Sequence, residues 1–349
     1  MSHDATAPML TTMSTSTGKT RSRVPAVILV LGAIVAGGLV AWWATGNSES
    51  PSSAYSWAPP NGLEPKRAFA YLEKICEFGP RPSGTPAIEK LQTYLIEHFK
   101  GIGATVETQE FEVRHPLDGK TVTMKNIIVR IAPELKRRVL FCTHYDTRPF
   151  PDYDPVNPQG VFIGANDGAS GPALFQEIAP QLMKMDLKVG VDLVMFDGEE
   201  LIFENDGTKG EYFLGSKHFA TQYASAPKEF TYEAGILLDM IADKELQLYY
   251  ERHSYDFARN LVRDVWNIAA KMKIREFVQR TRHTVRDDHL PLNEIAKIPT
   301  IDIIDFDYPR PSTRGEKYWH TEKDVPANCS GESMCKVGAV LLEWVKGLK

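Results

Sequence analysis

Four cysteines among 349 residues are too few for a disulfide scaffold, and none has the paired CxxC spacing of a structural zinc site. Basic tracts are equally scarce. None is longer than Lys136-Arg137-Arg138, and a net charge of −5 with a pI near 6.0 leaves no electrostatic footprint for nucleic acid. Internal repeats are missing, which excludes solenoid and propeller architectures. One stretch, 24–44, lacks charge altogether. About 20 apolar residues cross a hydrocarbon core of roughly 30 Å. Trp42 and Trp43 stand where an interfacial aromatic belt belongs, while Lys19, Arg21 and Arg23 lie only on the N-terminal side.

These features read as a signal anchor. Residues 1–23 would be a disordered cytoplasmic tail, 24–44 a transmembrane helix, and everything after residue 45 extracytoplasmic, periplasmic or extracellular. A cleaved signal peptide is the rival reading, but its apolar region usually runs only about 7–15 residues. A buried core helix is the third, and the Ser/Thr-rich flank argues against it. Residues 45–62 are rich in Ser, Pro, Gly and Asn and read as a linker. The catalytic portion is then 63–349. Of the cysteines, Cys142 sits in an apolar strand-like run and reads as a buried hydrophobe. Cys329 and Cys335 are near enough in sequence to pair outside the cytoplasm, although spacing alone does not show geometry.

With 43% hydrophobic and 24% charged residues, the chain can bury a sizeable core. Short apolar runs at 126–131, 139–143, 191–196, 235–240 and 300–304 read as strands. Helical patterns at 67–78, 87–99, 170–185, 255–272 and 332–347 alternate with them. Several runs are apolar nearly throughout, as in a sheet covered on both faces. This predicts an α/β fold, a single domain with a mixed, mainly parallel central sheet flanked by helices on both faces. Segments 105–113 and 121–124 read as antiparallel additions at one edge.

Ligands of open α/β sheets gather at the carboxyl ends of the strands. Here the run 139–143 leads into His144-Tyr145-Asp146, and 161–166 into Asp167. The run 193–196 leads into Asp197-Gly198-Glu199-Glu200, and 236–238 into Asp239. After 300–304 and a loop comes Trp319-His320-Thr321. Each has a bland reading by itself. A lone Asp at a strand end is most often a turn residue or helix cap, as Asp167 could be. Glu199-Glu200 could be an acidic loop, His144 a satisfied core histidine and Trp319 core packing. Converged on one crevice, though, these carboxylates would repel one another without a cation. Mixed imidazole and carboxylate donors suit zinc.

The motifs in chain order are Phe78-Gly79-Pro80-Arg81-Pro82-Ser83-Gly84, His144-Tyr145-Asp146-Thr147, Gly164-Ala165-Asn166-Asp167-Gly168-Ala169-Ser170, Phe196-Asp197-Gly198-Glu199-Glu200, Leu237-Leu238-Asp239-Met240-Ile241, Asp287-Asp288-His289 and Trp319-His320-Thr321. Together they resemble the zinc aminopeptidase-like exopeptidase superfamily and, within it, the glutaminyl-peptide cyclotransferases, over roughly 64–349. The resemblance implies metal ligands at Asp167, Glu200 and His320, and a proton shuttle at Glu199. It implies hydrogen-bonding partners at Asp239 and Asp287 and an aromatic pocket wall at Trp319. In the two-metal aminopeptidases of the superfamily, the positions of His144 and Asp239 hold a second ion, with Asp167 bridging.

One zinc is therefore expected of a cyclase and two of an aminopeptidase. The 201–214 segment after Glu200, Asp287-Asp288-His289 and Trp319 favour the cyclase. Against it, the 305–318 stretch is longer than a cyclase is expected to have, and the Gly168–Gly171 motif reads much like the aminopeptidase form. The 201–214 segment, with Glu204, Asp206, Lys209 and Glu211, reads as an active-site lip or a solvated insertion. The substrates implied are N-termini of peptides or proteins. A catalytically silent binding ectodomain is the remaining class.

Overall fold

Proline and capping residues start the helices where apolar spacing then carries them into the core. Pro65 opens α1 (Pro65–Cys76) at a position whose missing N–H costs nothing, and Ala68, Leu72 and Ile75 form its buried stripe. Thr85 caps α2 (Pro86–Gly101), which buries Ile88, Leu91, Leu95 and Phe99. Both helices start one or two residues before the expected 67 and 87, because the prolines precede the apolar periodicity. The other long helices are α3 (Ser170–Leu182), α5 (Arg252–Lys271) and α7 (Gly331–Lys346), close to expectation. Two shorter ones, α4 (Leu214–Ser225) and α6 (His289–Glu294), were not foreseen.

The strands are β1 (Thr105–Arg114), β2 (Thr121–Ile131), β3 (Arg137–His144), β4 (Gly190–Phe196), β5 (Thr231–Asp239) and β8 (Thr300–Ile304), with a separate parallel pair, β6 (Leu248–Tyr250) and β7 (Phe277–Thr281). The main sheet runs β1-β2-β4-β3-β5-β8. Its β4, β3, β5 and β8 are mutually parallel, and β2 and β1 join antiparallel at the β4 side. The mixed, mainly parallel sheet is as expected, with one revision. Segments 121–124 and 126–131 are a single strand, β2, whose first half pairs only with β1 and whose second half also pairs with β4.

Alternate residues of one strand fall into different apolar clusters, because side chains alternate across a pleated sheet. Phe141, Leu193, Ile236 and Ile303 join the larger cluster with α1, α2, α3, α5 and α7. Leu140, Cys142, Val194, Phe196 and Leu237 join Phe219, Ala220 and Leu292 of α4 and α6. Helices therefore cover both faces.

This computed structural model describes residues 57–60, 62–203, 210–226, 229–310 and 316–349. The expected tail and anchor at 1–44, and the linker except 57–60 and 62, lie outside the described residues. Among the described residues no helix is long and apolar enough to cross a membrane. All four cysteines are free. Cys142 is fully buried, as expected. Cys329 and Cys335 do not pair because they face different surroundings. Cys329 lies against Tyr308 and near Asp324, whereas Cys335, on α7, looks toward Glu177 and Arg67.

Candidate metal centre

The parallel order β4-β3-β5-β8 sets four strand ends side by side, about 4.8 Å apart. His144 ends β3, Asp239 ends β5, and Glu199-Glu200 follow β4. The loop after β8 returns with Trp319 and His320. Asp167 arrives differently. Residues 161–166 form no strand but an irregular approach to α3, so the segment read as an apolar run is a buried loop.

Asp167 is the hub. His144 Nε2 lies 3.1 Å from its Oδ1, and His320 Nε2 lies 3.5 Å from its Oδ2. His144 Nε2 is also 3.2 Å from Asp239 Oδ1, and His320 Nε2 is 2.8 Å from Glu200 Oε1. Two donor sets therefore share Asp167: His144, Asp167 and Asp239 on one side, and Asp167, Glu200 and His320 on the other. A third grouping joins His144 to Glu199 and Glu200. All of these are buried or nearly so.

The donor chemistry fits a divalent metal. Asp167 Oδ2 is buried without a hydrogen-bond donor, while both histidines turn Nε2 toward the cluster and Nδ1 toward Asp146 and Asp152, at 3.6 and 3.5 Å. Burial opposes charge on each group, yet the carboxylates raise the proton affinity of His144 well above its ordinary value, and that of His320 as well. The two imidazoles in turn hold Asp167 below the usual carboxylate range. A dication answers the same charge balance with neutral imidazoles.

Glu199 points into the same space, 9% exposed. Burial first, then the charge of Glu200, raises its carboxyl well above the ordinary range. Asp239 and Asp287 are also raised, chiefly by burial. Neither hydrogen-bonds Glu199 among the described residues. Asp239 pairs with His144, and Asp287 accepts the Asp288 N–H. Asp287 acts on Glu199 through charge rather than the hydrogen bond expected.

A cavity of about 240 Å³ opens over this group, lined by Asp167, Glu199, Glu200, Asp239, Asp287 and His320. Val285, Ile304, Phe306 and Trp319 give it an apolar wall. Trp319 both lines the cavity and packs, lying 5.0 Å from Phe306 and 3.9 Å from the His320 ring between centroids. Tyr212 and Phe213, from the far end of the 201–214 segment, complete the rim. A bridge between Ile202 and Gly210 closes the base of that segment. Of its charged residues, Glu204, Asp206 and Lys209 lie outside the described residues, and Glu211 pairs with Lys217.

Several further residues support the site from behind. Asp146 accepts the backbone N–H groups of Glu199 and Glu200, each at 3.1 Å. Asp324 accepts those of Asn166 and Asp167 at 2.8 and 3.0 Å. Arg148 contacts Glu200. Asp146 belongs to the strand-end motif His144-Tyr145-Asp146, but its partners are not evident from the sequence, and Arg148 lies two residues beyond it. Asp324 carried no local signal.

Fold and site together define an α/β enzyme scaffold with a buried carboxylate–imidazole cluster, able to hold a metal, at its switch edge. Residues 126–345 match Peptidase family M28, and the chain belongs to that family. Among solved structures it resembles the glutaminyl cyclase of Fimbriiglobus ruber, with 39% identity and a TM-score of 0.77 over 82% of this chain and 96% of that one. It also resembles a Bacteroides thetaiotaomicron protein described as a leucine aminopeptidase precursor, with 29% identity and a TM-score of 0.75 over 84% of this chain and 100% of that one. A curated relative, the glutaminyl-peptide cyclotransferase of Drosophila melanogaster, is 25% identical over 269 residues, 70% of each chain.

Proposed function

We propose that the chain is a glutaminyl-peptide cyclotransferase, converting an N-terminal glutamine to pyroglutamate with release of ammonia, and that Asp167, Glu200 and His320 hold one zinc ion. The observation that carries this reading is the single cavity in which Glu199 and that triad face the apolar wall of Val285, Ile304, Phe306 and Trp319. Such a space takes an uncharged, amide-tipped side chain, with its methylenes against the wall and its carbonyl toward the triad. The similarity to glutaminyl cyclases supports the same substrate class.

A bound zinc would supply Lewis acidity toward the side-chain carbonyl. Glu199 takes a proton from the α-amine as its nitrogen bonds to the side-chain amide carbon, then delivers a proton to the departing ammonia. No net proton is consumed. Asp239 and Asp287 place negative charge near Glu199, which keeps its carboxylate basic enough for the first step. Trp319 and Phe306 exclude water and limit hydrolysis.

A second reading, a two-metal aminopeptidase, is favoured by the His144, Asp167 and Asp239 donor set and by the likeness to the leucine aminopeptidase precursor. A coupled ammonia assay on a Gln-initiated peptide, run beside a leucine-anilide assay, separates the two. Ammonia without free amino acid, at about one zinc per chain, supports the cyclase. Free amino acid at about two supports the peptidase.

We further propose, from the uncharged run 24–44 and the basic residues before it, that the enzyme is held at a membrane with its catalytic part outside the cytoplasm. Recovery of the full chain in the supernatant after alkaline extraction of membranes would refute this.

A further inference from the structure

The loop 148–153 grips two residues of the metal-holding triad from behind. The Arg148 backbone N–H donates to Glu200 Oε2 at 3.1 Å, and its Nη1 donates to Glu200 Oε1 at 3.2 Å. The guanidinium turns its other side to Asp152, with Nε to Oδ1 at 2.9 Å and Nη2 to Oδ2 at 2.7 Å. Asp152 Oδ1 then faces His320 Nδ1 at 3.5 Å, the ring nitrogen left over when Nε2 points to Asp167 and Glu200. Arg148 is 1% exposed, so this fork sits away from water. The next residue, Tyr153, donates its N–H to the His320 carbonyl at 3.1 Å and stacks on the imidazole at 5.3 Å between centroids. His320 needs that grip because its backbone lies in the left-handed region at φ 56°, which a non-glycine residue occupies only when its surroundings fix it.

We propose that Arg148 and Asp152 are a positioning pair that ties Glu200 to His320 and sets the metal affinity of the triad. This rests on the reading of Asp167, Glu200 and His320 as ligands. Asp152 sets a carboxylate charge 3.5 Å from His320 Nδ1, which favours the proton on that nitrogen and leaves the Nε2 lone pair for the ion. Arg148 holds both Glu200 oxygens in one orientation and offsets part of the carboxylate charge around them. Outer partners of this kind typically change metal affinity by about 10–100-fold when removed. No arginine forms an ion pair with Asp239 among the described residues, so Glu200 is the ligand this fork sets apart.

The test is zinc affinity of the purified full chain, measured by competition with a chromophoric chelator, together with the visible spectrum of the cobalt-loaded protein. Asp152→Asn keeps shape and removes the charge. It should weaken zinc by about 10–100-fold and shift the cobalt bands. Arg148→Lys keeps the charge but loses the fork, and should fall at the lower end of that range. A role in folding alone would lower the unfolding temperature of the metal-free chain and leave zinc affinity and cobalt spectrum as they were. If Arg148→Lys fails to fold, Asp152→Asn, at a partly exposed position, still decides the matter. Zinc affinity within about twofold of the parent in Asp152→Asn overturns the proposal. His320→Ala serves as the reference: if it too leaves affinity unchanged, the ligand assignment itself falls rather than the positioning pair.

Discussion

Replacing Asp146 by Asn changes one oxygen to an NH2 group, and the structure states what that costs. The Asp146 side chain is completely buried, and each oxygen accepts one backbone N–H, from Glu199 and from Glu200, both at 3.1 Å. Oδ1 also faces His144 Nδ1 at 3.6 Å. An amide can accept from only one of the two N–H groups, and its own NH2 then points at the other. A hydrogen bond to a charged acceptor contributes about 1.5–3 kcal/mol, and a stranded buried donor costs about 1–3 kcal/mol. The peptide after Gly198 must therefore turn or shift, carrying Glu199 or Glu200 with it. A displacement of about 1 Å costs on the order of 100-fold in rate, equivalent to about 2.7 kcal/mol at 1.36 kcal/mol per decade. That lies within the energy of one lost charged bond, so the two estimates agree.

The expected outcome is a fall in kcat/KM of about 100-fold in the ammonia assay. Zinc content tells which way the amide settles. If the oxygen stays with the Glu200 N–H, zinc is retained and kcat carries the loss. If it stays with the Glu199 N–H, zinc affinity falls too. An Asn variant within about threefold of the parent in kcat/KM, with unchanged zinc content and unfolding temperature, would refute the claim that Asp146 positions both glutamates.

Glu199→Gln removes the proton carrier without disturbing the triad. It should lower kcat by about 100- to 10,000-fold while zinc affinity stays near the parent value, checked by chelator competition. Trp319→Ala opens the apolar wall and removes about 1.5–3 kcal/mol of burial. It should raise KM for Gln-peptides more than it lowers kcat, and an unchanged KM would remove Trp319 from the binding wall. Glu251 tests the fold rather than the site. Its carboxylate accepts N–H groups of His253, Ser254 and Val285, capping α5 and tying it to the loop that carries Asp287. Burial alone would raise this carboxyl, but the neighbouring His289, 3.4 Å away, and those N–H donors bring it from the ordinary 4.5 to about 2. Burial holds His289 itself below its usual value, so at neutral pH the backbone donors carry the effect. A depressed carboxylate stabilises the fold above its unfolded value and ceases to do so as pH falls from 4.5 toward 2. Glu251→Gln should therefore be less stable than the parent at pH 6, by up to about 3 kcal/mol, with the gap closing toward pH 2 in denaturant titrations.

What sequence could reveal followed from how locally each feature is encoded. Buried parallel strands are runs of apolar residues, so β4 and β8 match the sequence expectation to within a residue, and β3 misses only its charged start and His144. The polar residues that end them follow from chain order and the switch-edge rule. The helix α4 escaped because its buried residues, Gly215, Ser216, Phe219 and Ala220, are mostly small or polar and make no stripe. The short α6 buries nearly all its residues and shows no amphipathic period. Residues 161–166 read as an apolar run like those of the strands because a loop largely buried at the sheet edge is also apolar. Asp146, Arg148, Asp152 and Asp324 act on groups 50 to 170 positions away in chain numbering, and nothing local to each marks its partner. Charge coupling in place of hydrogen bonds between Asp287 and Glu199 likewise depends on distances that no spacing rule encodes.

The glycines of the Gly168–Gly171 motif show how tightly the hub is set against the sheet. Gly168 has φ +95°, and a Cβ there would meet the Asp146 carbonyl oxygen at 2.3 Å. Gly171 lies in the first turn of α3, where a Cβ would meet Thr143 Oγ1 at 2.0 Å and Thr143 Cβ at 2.6 Å. Thr143 cannot swing aside, since its β-branched side chain is stiff and its hydroxyl donates to the His144 carbonyl at 3.1 Å. Alanine gains up to about 1 kcal/mol over glycine in a helix, but overpacking of this kind costs about 1–3 kcal/mol, and more where the neighbour is fixed. The sign is therefore unfavourable. The cheapest relief moves the start of α3 away from β3, and Asp167 is three residues upstream on the same turn of chain. Gly171→Ala should lower both the unfolding temperature and zinc affinity. Adding Thr143→Ala should restore little, because the Cβ contact remains. Adding Thr143→Gly should recover zinc affinity while the unfolding temperature stays low, since a strand glycine is itself destabilising. Wild-type zinc affinity in Gly171→Ala alone would mean that Asp167 is placed by Asp324 and its own loop, independently of how closely α3 approaches the sheet.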